Sequence, residues 1–204
     1  MSDEAKERPI LFSAPMVRAI LAGSKTQTRR VVKTHELMLD RLDSLLVNPK
    51  RPGVWDYYDS DDQEEHEFCC PYGVPGERLW VRETFWARKG IFPNAVPGYH
   101  DLVFYRADPD PAPNLDRPLT WKPSIFMPRW ASRLTLEITE VRLERLMSIT
   151  HADAIAEGIT GEQSPRAGYA ALWDTINAKR GFDWASNPWV WALTFKMLES
   201  ERRR

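Results

Sequence analysis

Gly23-Ser24-Lys25-Thr26-Gln27-Thr28-Arg29-Arg30 gathers one ammonium, two guanidiniums and several hydroxyls into eight residues. Just before it, Val17, Ile20 and Leu21 share a helical face, and Ser13 and Pro15 suit the first turn of that helix. A glycine just past a helix end takes the left-handed conformation at little cost. Gly23 therefore lets the chain turn sharply and aim the following side chains at one point. Three donor types converging there suit an electron-rich ligand such as a carbonyl, a base edge or a phosphate. A solvated basic turn has the same composition, and charge alone does not separate the two.

Upstream, residues 1–9 are polar and charged and are expected to form a disordered lead-in, followed by Ile10-Leu11-Phe12 as a short strand. Downstream, residues 34–74 have the character of an insertion. Within it, Leu45-Leu46-Val47 and Val54-Trp55-Asp56-Tyr57 can pair across the turn-forming Asn48-Pro49-Lys50-Arg51-Pro52-Gly53. The acidic run Asp56, Asp59, Asp61, Asp62, Glu64, Glu65 and Glu67 is expected to be a solvated loop. The turn-rich Cys69-Cys70-Pro71-Tyr72-Gly73-Val74-Pro75-Gly76 leads into Leu79-Trp80-Val81-Arg82-Glu83-Thr84-Phe85-Trp86, predicted as one strand. Another strand is predicted at residues 102–106, within a second insertion at about 87–120 that ends in a proline-rich stretch.

From Leu134 the pattern alternates cleanly, with Leu136 and Ile138 on the same face, and then changes parity to Val141 and Leu143. That predicts a half-buried strand with a bulge near Glu140. Thr150 and Asp153 form a capping-box pattern for a helix that Gly158 ends. Ser164-Pro165 opens another helix, with Tyr169, Leu172, Trp173 and Ile176 as its apolar face. Trp189-Val190-Trp191-Ala192-Leu193-Thr194-Phe195 is predicted as the final strand, ahead of a basic tail at 201–204. Strands from distant parts of the chain, with three short helices between them, argue for an α+β fold. They suggest a curved or barrel-like sheet and a single domain over residues 10–200.

Composition narrows the function classes. Among 204 residues, 28 Lys and Arg stand against 29 Asp and Glu, so any attraction for nucleic acid must come from a local patch. The two cysteines, Cys69 and Cys70, are adjacent, a usage that fits a reduced, cytoplasmic protein. No run of membrane-span length and no signal-peptide pattern is present, so no membrane partner is expected. His66, Cys69 and Cys70 lack a fourth ligand at zinc-like spacing, and there is neither a Walker loop nor a G-x-G-x-x-G. Neither a metal nor a cofactor is expected.

The opening octet resembles the G-x-K-T-x-T-x-R signature of the ASCH family. Pro75-Gly76-Glu77-Arg78-Leu79-Trp80-Val81 is similar to that family's glycine-acidic turn into a strand. Ile149-Thr150-His151-Ala152-Asp153-Ala154-Ile155-Ala156-Glu157 resembles the helix carrying its acidic residue, and Trp189-Val190-Trp191-Ala192-Leu193-Thr194-Phe195 its closing strand. The order of the four matches. As a whole the chain is similar to the longer ASCH-type proteins of phages and prophages. The resemblance implies a PUA-like (ASCH) curved β-barrel with flanking short helices.

Some small bacterial members of that family are N4-acetylcytidine amidohydrolases that use a lysine, a threonine and a glutamate. By motif these roles fall on Lys25, Thr28 and Glu157. Others act as ribonucleases or bind RNA, so the fold alone does not decide the activity. In the amidohydrolase hypothesis, Thr28 is the nucleophile and Glu157 carries a proton to the leaving nitrogen. Lys25 is either a neutral base or a charged stabiliser of the oxyanion. Gly23, Thr26, Arg29 and Arg30 would shape and steer the substrate, with Arg129 and Trp130 offering planes for base stacking. In a regular strand Lys25 and Thr28 would face opposite sides, so this mechanism needs a turn between them. The partner implied is a modified nucleoside or nucleobase, or RNA. The alternatives are a non-catalytic RNA- or DNA-binding module and a metal-independent ribonuclease.

Overall fold

A computed structural model describes residues 5–33, 46–47, 51, 53–59, 64–88, 102–110, 119–160 and 164–198. The tail at 201–204, the turn residues Asn48 to Lys50, Asp61 and Asp62, and the proline-rich 111–118 lie outside the described residues.

The centre of the fold is one long antiparallel ladder between β9 (Thr135–Arg145) and β10 (Trp189–Leu198). Leu134, Leu136 and Ile138 are buried, as is Val141. The ladder register slips where Thr194 pairs with Glu140 and Phe195 with Ile138, leaving Thr139 unpaired. The bulge lies beside the predicted residue, and it is what keeps both apolar runs on the core face.

Around this ladder lies a five-stranded sheet in the order β1-β6-β9-β10-β2. β1 (Glu7–Leu11) runs parallel to β6 (Arg78–Arg82), and β2 (Gln27–Val31) runs antiparallel to β10. The strand at the start of the chain thus begins three residues inside the expected lead-in, since Glu7, Arg8 and Pro9 pair with β6. The predicted single strand around Leu79 is also broken. It stops at Arg82 and resumes after Glu83 and Thr84 as β7 (Phe85–Arg88), which pairs instead with β8 (Leu102–Tyr105).

The mixed sheet with few helices is an α+β arrangement, but the expected barrel does not close: among the described residues β1 and β2 share no ladder. Laid flat, four strand spacings would hold these edges roughly 19 Å apart. Instead a single side chain bridges them, with Arg30 Nη2 donating to the Leu11 carbonyl at 2.6 Å. The sheet curls until its edges approach, and side chains rather than backbone bonds fill the gap. Pro9, which has no N–H to offer, suits such an edge. Helix α1 (Ala14–Leu21) carries the chain from one edge to the other, burying Val17 and Ile20.

Against one face of the sheet pack α2 (His151–Ala156) and α3 (Pro165–Asn177), with Ala154, Tyr169, Trp173 and Val190 in their shared core. Ile176, expected on that face, is 45% exposed, and Asn177 is buried in its place. The other face is covered partly by the first insertion. There β3 (Leu46–Val47), β4 (Val54–Asp59) and β5 (Glu64–Cys69) form an antiparallel sheet. The hairpin partners are as predicted, but Asp56, Asp59, Glu64, Glu65 and Glu67 of the acidic run lie in strands rather than in a loop. Trp55 and Phe68 lie on Trp191, with ring centroids 5.0 and 5.1 Å away, so this segment supplies part of the main core. No helix among the described residues is long and apolar enough to cross a membrane.

Candidate active site

Lys25 and Glu157 are 132 residues apart and meet at 2.6 Å. Two glycines make the meeting possible. Gly23, with φ of +73°, ends α1, and the amides of Ser24 and Lys25 both return to the Ala19 carbonyl. The chain then forms a single antiparallel bridge from Lys25 to Glu157 before β2 begins. On the opposite side, the capping box of Thr150 and Asp153 starts α2, and Gly158 ends it at φ +91°. A Cβ on Gly158 would stand 3.2 Å from the Cβ atoms of both Ala19 and Lys25. Its absence lets the end of α2 press against the turn that carries Lys25.

The pair is dry, with side-chain exposures of 1% for Lys25 and 3% for Glu157. Besides the Glu157 carboxylate, Lys25 Nζ donates to the carbonyls of Glu157 at 2.9 Å and Gln27 at 2.8 Å. All three protons of an ammonium are therefore engaged by protein acceptors. Burial lowers the Lys25 pKa; the charge and hydrogen bond of Glu157 oppose this, while Arg30 and Arg29 add to it.

The second oxygen of Glu157 receives Arg29 Nη1 at 3.2 Å and the Tyr169 hydroxyl at 3.3 Å. Burial first, and the Glu157 charge next, raise the Tyr169 pKa well above its ordinary value, so it stays a neutral donor. The fully buried Arg29 also holds Glu144 Oε1 at 2.8 Å, Asp153 Oδ2 at 3.4 Å and Gln27 Oε1 at 2.7 Å. Burial acts to raise the Asp153 pKa, but bonds from Thr150 and the Arg29 charge outweigh it and hold this carboxyl below its usual range.

In front of this network is a cleft of about 180 Å³ in the gap between β1 and β2. Thr28, Arg30, Glu157, Tyr72 and Tyr169 give it polar groups, and Ile10, Met16, Leu172 and Trp173 give it apolar walls. Sites that enclose drug-sized ligands run to about 300–1,000 Å³, so this one suits a single ring with a substituent. Thr28 and Arg30 share a face of β2, being paired across the ladder with Leu193 and Trp191. The parity conflict between Lys25 and Thr28 is resolved because regular strand starts only at Gln27. Lys25 itself lies behind Glu157 and does not line the cleft.

Of the residues singled out in the sequence, Lys25, Thr28, Glu157, Arg29 and Arg30 come together here. Gly23 and Thr26 act through the backbone: the Thr26 amide donates to the Ala156 carbonyl at 2.8 Å, while its side chain is exposed. Arg29 is a structural clamp on Glu157. Arg129 and Trp130 do not line the cleft; Arg129 is paired with Glu7 at 2.8 Å in a short turn elsewhere. Other cations and indoles are also committed elsewhere: Arg133 binds Glu83 and Asp108, Trp191 is core, and the Arg145 guanidinium covers Trp189 at 4.5 Å. Tyr72, Lys33 and Arg180 line the cleft without having been singled out. Tyr169 was legible only as an apolar position, although a buried tyrosine always needs a partner for its hydroxyl.

No protein-family model matches the chain, and no curated protein matches it. Among solved structures, protein EF3133 from Enterococcus faecalis V583, a DUF984 protein, aligns over 99% of this chain and 86% of its own. The TM-score is 0.44 and the identity 9%. The ASCH domain from Lactobacillus crispatus JV V101 aligns over 94% of this chain and 79% of its own, with TM-score 0.41 and 12% identity. At these values neither likeness speaks to activity or substrate.

Proposed function

We propose that the protein is a PUA-like domain of the ASCH type that hydrolyses an N4-acyl group from a cytidine-like base without a metal. One observation supports this above the others: a lysine–glutamate pair, sealed from water, at the back of a ring-sized cleft that Thr28 also lines. Buried ion pairs are weak devices for stability, because desolvation cancels much of the attraction. They are common where a group must be held in a set charge state for chemistry.

In this mechanism Thr28 Oγ adds to the acyl carbon, and its proton passes to Glu157, the member of the pair that faces the cleft. Glu157 then gives a proton to the exocyclic nitrogen as the C–N bond breaks, leaving an acyl ester on Thr28 that water cleaves. Lys25 is a positioning residue. Its three protons are already engaged, which leaves none for an oxyanion and favours a role in setting the charge of Glu157. Arg30, one of the cations that line the cleft, can steer a base carbonyl or a phosphate.

The test is to incubate purified, folded protein with N4-acetylcytidine and follow release of cytidine and acetate. Stoichiometric release supports the hydrolase. Tight binding without turnover favours a non-catalytic nucleobase-binding module instead.

A further inference from the structure

The lining of the cleft includes Arg30 and two exposed cations, Lys33 and Arg180, and the sugar of a base bound in the cleft would extend toward its solvent-exposed rim. Among the described residues, none of these three cations has a carboxylate within ion-pair distance. Arg30 is satisfied by the Leu11 carbonyl and Arg180 by the Asn177 amide oxygen at 3.2 Å. Elsewhere Arg8, Arg129, Arg133 and Arg142 are each held by an acidic side chain. Glu157, the carboxylate that lines the cleft, is shared among Lys25, Arg29 and the more distant Arg30. Burial disfavours the Arg30 charge most, Glu157 offsets part of this, and Arg180 stands near enough to add a smaller opposition. Tyr72, whose hydroxyl burial keeps neutral, adds an O–H donor to the same wall.

We infer that the cleft takes its ligand as a nucleoside monophosphate, with the phosphate held by Arg30 and Arg180 and with Lys33 beside them. This rests on the nucleobase reading above and specifies the form of the substrate. Guanidiniums match phosphate oxygens in a planar fork, and a site this small leaves the phosphate at its mouth. A single strand would need a positive groove tracking its backbone. Here three cations with no carboxylate at ion-pair distance among the described residues line one small cleft, on a chain of net charge −1.

Calorimetry with cytidine, cytidine 5′-monophosphate and inorganic phosphate tests this without requiring turnover. The expected result is that the monophosphate binds at least about ten-fold tighter than cytidine. Arg180→Gln, a change at an exposed rim position, should remove most of that advantage while leaving cytidine affinity unchanged. Arg30→Gln, if it folds, should also lower the ratio of monophosphate to cytidine affinity. Equal affinity for cytidine and its monophosphate overturns the phosphate site and leaves the base reading standing. A monophosphate that binds no better than inorganic phosphate, with cytidine inert, overturns the base reading and the nucleotide with it. A short cytidine-containing oligonucleotide binding about ten-fold tighter than the monophosphate overturns the choice of a monomer.

Discussion

At the scale of single residues, the chemistry depends on an ammonium and a carboxylate that have exchanged water for each other. Removing one member leaves the other charged and buried, which costs about 3–5 kcal/mol. Glu157→Met should therefore lower unfolding free energy by about that amount, since it strands the Lys25 ammonium, as read by chemical denaturation. Loss within experimental error would mean that the pair is far more hydrated than its 1% and 3% exposures indicate. Asp153 makes a second, pH-dependent prediction. Its folded pKa is depressed, so its contribution is complete above about pH 4 and is lost as pH falls from there toward the folded value. Melting temperature should drop steeply below pH 4 in the wild type and more gently in Asp153→Asn, which is already destabilised at pH 7 by the loss of its cap and its pairing with Arg142 at 3.0 Å.

At the scale of elements, the site is a meeting of ends: α1 stops at Gly23, α2 stops at Glu157, and β2 starts two residues after Lys25. Gly158→Ala tests this joint. A left-handed non-glycine residue costs about 1–2 kcal/mol, and the new methyl group would crowd Lys25 and Ala19. Urea titration should show a loss of at least that size, with any activity reduced as Lys25 is displaced. These ends were legible in the sequence because caps are local: Thr150 with Asp153, and glycine past the last turn, require no tertiary information. What lay beyond reach was the partner of each side chain. Arg29 and Arg30 are neighbours of like charge, and only the pleat of β2 sends one to Glu157 and Glu144 and the other into the cleft. Tyr72 comes from a turn and Arg180 from the short 3-10 helix after α3, and no local pattern encodes their approach to β2.

For the whole molecule, the alternating stretches predicted the main strands, but closure of the sheet is a global property that periodicity does not carry. The rolled sheet with an open seam is what creates a cleft between β1 and β2; complete closure would have filled it with backbone hydrogen bonds. The first insertion was misjudged in the same way. Its acidic residues suggested solvent, whereas alternate positions turn Trp55 and Phe68 onto Trp191. Trp55→Ala should cost about 3–5 kcal/mol in a thermal or denaturant melt, the penalty for truncating a buried aromatic. A change under 1 kcal/mol would make this segment an appendage after all. The central claim, that Glu157 moves the proton from its buried place at the back of the cleft, is tested most directly by the rate of cytidine release from N4-acetylcytidine. Wild type and Glu157→Gln should be compared at matched fold and ligand occupancy. The account predicts turnover in the wild type and a loss of about 10²–10⁴-fold in the variant; equal rates, or no release by either protein, would contradict it.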